Sequence, residues 1–76
     1  MGEEYAVRGL MRALADERRA AEQVLRYERA RLTHAPAYQA ALAMLEACGA
    51  DVGRAYAALR EYRIPAARAA LREANP

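Results

Sequence analysis

The sequence predicts an all-α fold, on three observations. Apolar residues recur at helical spacing from end to end, Ala supplies 21 of the 76 residues, and strong punctuation falls at four places with no strand candidate between them. These breaks divide a single domain, residues 1–76, into a long N-terminal helix over 3–32 and a compact three-helix unit over 36–74.

Each element has its own local reason. In the first, Val7, Leu10, Met11, Leu14, Ala21, Val24, Leu25 and Leu32 repeat at helical spacing, and Gly9 is the one weak former, at a cost of about 1 kcal/mol against Ala. The second begins at Pro36, a residue suited to the first helical turn. It buries Tyr38, Leu42, Leu45 and Cys48 and stops at Gly49 as a left-handed cap. The third opens with Asp51, whose carboxylate accepts from the free amides of a first turn, and carries Val52, Ala55, Tyr56 and Leu59 to about Tyr62. The fourth starts at Ile64-Pro65 and presents Ala67, Leu71 and Ala74 before the Asn75-Pro76 ending.

Composition then limits what such helices can hold together. The large apolar side chains are eight Leu, three Val, one Ile, three Met and five Tyr, with no Phe or Trp, so the core is thin. A continuous 30-residue helix is about 45 Å long, against a diameter near 30 Å for a compact chain of this size. The first helix therefore overhangs: either it bends near Gly9 or Asp16, or its apolar stripe is buried by a second copy or by another protein, and of these a homodimer is favoured. The run Val7, Leu10, Leu14, Ala21, Val24 is interrupted by Glu17 and Glu28, which disfavours a long coiled coil and permits a short antiparallel helix pair; Val7, Leu10, Leu14 and Val24 are the expected oligomer contacts. No stretch approaches the roughly 18 apolar residues of a membrane span, and the start Met1-Gly2-Glu3-Glu4 is acidic where a signal peptide is basic, so no membrane association and a cytoplasmic location are expected. One Cys and one His leave neither an internal disulfide nor a metal cluster, and no cofactor is expected.

Charge is high but net small, 12 Arg and no Lys against 10 acids for +2. On the first helix Arg8, Arg12, Arg19 and Arg26 form a ridge opposite the apolar stripe, yet Glu4–Arg8, Arg12–Asp16, Arg18–Glu22 and Glu22–Arg26 all stand at i, i+4, the pattern of a solvated, paired surface. The tail half is less balanced. Arg54, Arg60, Arg63, Arg68 and Arg72 face Glu61 alone over residues 54–72, and guanidinium groups so placed suit phosphates. Catalysis finds no support: His34 stands in the Thr33-His34-Ala35-Pro36 connector without a partner nucleophile, Cys48 has no cationic cluster beside it, and Asp16 and Glu17 point about 100° apart.

The run Gly49-Ala50-Asp51-Val52-Gly53-Arg54-Ala55-Tyr56-Ala57-Ala58-Leu59 resembles the opening of a Fis-type helix-turn-helix, with Leu45 and Leu59 at its core spacing. That likeness covers about 25 of the 76 residues. It implies a supporting helix from Asp51, with Arg54 on a phosphate, and a recognition helix from Ile64 offering Arg68 and Arg72 to DNA. The sequence departs from the pattern where Tyr56 replaces a second Ala and where Ile64 follows Leu59 after three extra residues; the same run is also similar to ubiquitin-associated-like three-helix domains, which bind proteins. The expectation is thus a small, non-catalytic nucleic-acid-binding protein or regulator, bacterial or from a phage, touching DNA through the five C-terminal arginines. The alternative is an adaptor or inhibitor that docks a larger protein partner through its helices.

Overall fold

A computed structural model describes residues 2–74; Met1 and the expected Asn75-Pro76 ending lie outside the described residues. The chain is all-helical but has two helices, α1 over Gly2–Arg29 and α2 over Pro36–Ala74, joined by a short connector into an antiparallel hairpin. The second, third and fourth expected helices are one. At 1.5 Å per residue the 39 residues of α2 span about 58 Å, which accounts for the longest dimension, 61 Å. The other two extents, 25 and 13 Å, are those of two helices side by side and one helix deep.

The connector falls where Thr33-His34-Ala35-Pro36 predicted it, but α1 ends at Arg29 rather than Leu32, through a device without glycine. Arg31 takes a left-handed conformation, φ 58°. The Leu32 amide donates to the Tyr27 carbonyl at 2.9 Å and the Arg31 amide to the Glu28 carbonyl at 3.0 Å, which is the Schellman arrangement. The chain then turns through the Ala35 amide on the Leu32 carbonyl, and Pro36 enters as the first residue of α2.

Three predicted interruptions did not break α2. Gly49 is helical, with no positive φ at any described glycine, and is not a left-handed cap. Asp51 caps nothing; its carboxylate takes the guanidinium of Arg54 one turn on. Pro65 lies inside the helix. The reason is in the contact seam. On α1, Ala6, Leu10, Ala13, Glu17, Ala20, Val24 and Tyr27 are buried or half-buried, at spacings alternating four and three. On α2, Tyr38, Ala41, Leu45, Cys48, Val52, Ala55 and Leu59 do the same. A break at Gly49–Asp51 would have removed the middle of a seven-residue repeat that runs the length of the hairpin. An interior glycine costs only about 1 kcal/mol.

The seam is narrow because about every second member is small. Ala6, Leu10 and Leu59 form its tightest cluster, flanked by Val7, Val52 and Ala55, and no described side chain is fully buried. Tyr56 is exposed, whereas Tyr38 packs edge-on against Tyr27 with ring centroids 6.3 Å apart. The overhang expected of the first helix belongs to the second: Gly2 meets the Tyr62 ring and Glu3 pairs with Arg63 at 3.3 Å, so α2, which ends at Ala74, continues about eleven residues past the start of α1. A radius of gyration of 18.0 Å, against about 11 Å for a compact chain of this length, completes the correction to the compact three-helix unit.

Candidate functional site

The hairpin is one helical layer, with two broad faces and two outer edges. A second apolar line runs along α1, one residue out of step with the seam: Val7, Met11, Leu14, Arg18, Ala21 and Leu25, again at spacings of four and three. Its members stand between about 65° and 145° beyond the seam direction at 100° per residue. They are poorly covered, with Met11 66% exposed, Leu25 43% and Leu14 40%. The corresponding positions on α2 are Leu42, Glu46, Gly49, Gly53, Tyr56 and Arg60, followed by Ile64 and, in the overhang, Leu71.

These two lines share one side of the hairpin. A right-handed helix turns clockwise going away from a viewer, and an antiparallel neighbour turns the other way, so side chains about 90° past the seam in both helices emerge on the same side of the layer. Contacts across the hairpin agree. Tyr38 donates to Glu28 Oε1 at 2.9 Å, Glu3 meets Arg63, and Glu17 stands over Gly49, each pair being displaced from the seam in this direction. Gly2 and Tyr62 are displaced the other way and meet there. The side so defined is the apolar face.

The opposite face carries the arginine ridge of α1. Arg8 is paired with Glu4 at 2.9 Å and Arg19 with Asp16, both on exposed side chains. Asp16 thus serves Arg19 rather than Arg12, and Arg18–Glu22, at 3.5 Å, is the other i, i+4 pair that forms as the spacing suggested. Such exposed pairs contribute about 0.3–0.5 kcal/mol each. The ridge is a solvated surface.

The five C-terminal arginines do not converge. Arg54, Arg68 and Arg72 lie within about 40° of one another on the outer edge of α2, whereas Arg60 and Arg63 stand about 120° and 180° from Arg54. Arg54 is held by Asp51 and Arg63 by Glu3. Among the described residues Arg60, Arg68 and Arg72 have no acidic partner. The expected oligomer contacts divide as well: Leu10 and Val24 are consumed by the hairpin's own seam, and Val7 and Leu14 belong to the apolar face. Met11, Leu25 and Leu42 complete that face, and their signal was the second line of four-and-three spacing.

Little else has chemical character. The Glu28 hydrogen bond, then desolvation and the Glu28 charge, raise the Tyr38 phenol above its usual value. His34 is exposed in the connector and Cys48 is a half-buried free thiol. Among the described residues no group of His, Cys, Asp and Glu could hold a metal ion, and no helix is long and apolar enough to cross a membrane. Comparison with protein-family models, curated proteins and solved structures gives no match to this chain.

Proposed function

We propose that the chain is a non-catalytic protein-interaction module, whose apolar face lies against a second helical surface. One observation carries this reading. The hairpin exposes 6235 Å², whereas a compact monomer of 8.4 kDa exposes about 4,600 Å². Met11, Leu14, Leu25, Ile64 and Leu71 stand exposed along one side of the hairpin, which is how a layer behaves when its second layer comes from elsewhere. Cytoplasmic action accords with the single unpaired thiol, which asks for no oxidising compartment.

The test compares the two faces. An environment-sensitive apolar dye, added at submicromolar protein, is expected to bind the hairpin, to lose most of its signal in Met11→Glu, and to keep it in Arg12→Glu. Absence of dye binding to the folded chain overturns the proposal.

A second reading, contact with DNA, is supported by the unpaired state of Arg60, Arg68 and Arg72. In its helix-turn-helix form it requires α2 to open at Gly49–Asp51 and at Ile64–Pro65, giving the compact three-helix unit. Labelled duplex titrated at low and at moderate salt decides it: steeply salt-dependent binding, lost in Arg68→Ala with Arg72→Ala, favours DNA, and no binding at either salt removes it.

A further inference from the structure

We infer that the surface covering the apolar face is a second copy of this chain, the two hairpins forming a four-helix bundle about a two-fold axis parallel to the helices. This rests on the interaction-module reading and names its partner.

Matched heights are the first ground. Gly2 lies beside Tyr62, Glu17 beside Gly49 and Tyr27 beside Tyr38, so residues of α1 and α2 at one level have numbers adding to about 65. A two-fold axis along the layer preserves height and lays α1 of one copy over α2 of the other, with every neighbouring helix antiparallel. At those heights size is complementary. Met11 and Leu14 come opposite Gly53 and Gly49 of the second copy, and no atom outside the local helix lies within 4 Å of where a Cβ on Gly53 would stand. Where α1 is small, at Ala21, the second copy offers Leu42. The one charge within the α1 line, Arg18, comes opposite Glu46, and symmetry makes each of these contacts twice.

Area is the second ground. The 28-residue α1 is about 42 Å long and the layer 25 Å wide, so the face measures roughly 1,000 Å² per copy. Stable specific interfaces bury about 1,200–2,000 Å² in total. Charges of both signs are mixed along that side, Arg18, Arg60 and Arg63 with Glu3, Glu17, Glu28 and Glu46. A copy of the same surface is therefore not repelled, whereas a strongly acidic or basic partner gains nothing from it.

Mass measured by light scattering from about 1 to about 200 µM tests the pairing. The expected result is twice 8.4 kDa at the upper end. Leu14→Glu should weaken association by roughly a hundredfold with helicity retained, since it puts an unpaired charge into the covered face. Met44→Glu, on the opposite face, should leave the doubled mass unchanged. Arg18→Glu and Glu46→Arg should each weaken association and the double variant should restore it; the two side chains do not pair within one chain, so rescue reports contact between copies. A single-chain mass throughout, dissociation by Met44→Glu in place of Leu14→Glu, or failure of the charge swap to rescue overturns the pairing. If the single chain still binds the apolar dye, the interaction module survives with a different partner; if it does not, both readings fall.

Discussion

Leu59→Ala measures how much of the hairpin rests on its seam. Leu59 is 6% exposed and packs with Ala6 and Leu10 at the end of the hairpin where α1 begins. The substitution deletes three carbons, worth about 2.4 kcal/mol at about 0.8 kcal/mol per buried CH₂. A rigid core would add a cavity term on top, within the usual range of about 2–5 kcal/mol. Here that term is small, because no described side chain is fully buried and α1 can settle toward the vacated space. The expected loss is therefore about 2.5 kcal/mol. Leu71→Ala is the matched control: the same chemistry at a position 63% exposed in the overhang, with an expected loss under about 0.5 kcal/mol. Urea unfolding followed by far-UV circular dichroism reads both, at one protein concentration because association adds to apparent stability. A loss below about 1 kcal/mol at Leu59, or equal losses at the two leucines, would refute the seam as the source of stability.

Two further expectations concern the ends and the connector. Arg31→Gly should stabilise the hairpin by about 1 kcal/mol, since a left-handed Arg carries a penalty that Gly lacks; no gain in the urea midpoint would show that Arg31 is held by contacts beyond its backbone. Tyr38 has its phenol raised above 10.0 by the bond to Glu28, so that bond stabilises fully below about pH 10 and is lost as pH climbs through the raised value. Tyr38→Phe should remove a phenol that titrates above 10.0 from an absorbance titration and flatten the alkaline decline in stability, and an unchanged titration would refute the raised value at Tyr38.

Helical character, the place of the connector and the start of α2 at Pro36 were all legible in the sequence, because periodicity and proline act locally. The punctuation of residues 49–65 misled because its local costs are small beside what continuity preserves. Gly49 costs about 1 kcal/mol as an interior residue, and a break there would disorganise Cys48, Val52 and Ala55 together. Pro65 is tolerated where α1 has run out, so the carbonyl it strands, that of exposed Glu61, is free to meet water. The left-handed turn at Arg31 gave no sign, since glycine is the residue that announces it. On α1 the error was one of merging: Val7, Leu10, Leu14 and Val24 read as a single stripe, when Leu10 and Val24 belong to one line and Val7 and Leu14 to its neighbour. The arginines were countable but not placeable, because their directions depend on α2 being one helix.

The alanine content explains why the layer has an uncovered face at all. Small residues at Ala6, Ala13 and Ala20 on one helix and Ala41, Cys48 and Ala55 on the other let the two backbones approach, but each buries little area, so the seam satisfies geometry better than it supplies free energy. The larger side chains Met11, Leu14 and Leu25 stand outside that seam. Had they occupied it, a single hairpin would have held more of its stability within one chain and left a polar layer behind. Placed one residue out of step, they leave that free energy unused within one hairpin, and the proposed pairing of two copies would recover it and make stability rise with concentration. Arg18 then has a part that its pair with Glu22 does not exhaust. A charge in the middle of an apolar line weakens indiscriminate clustering, and in the proposed pairing it would favour the register that places Glu46 of the second copy opposite it.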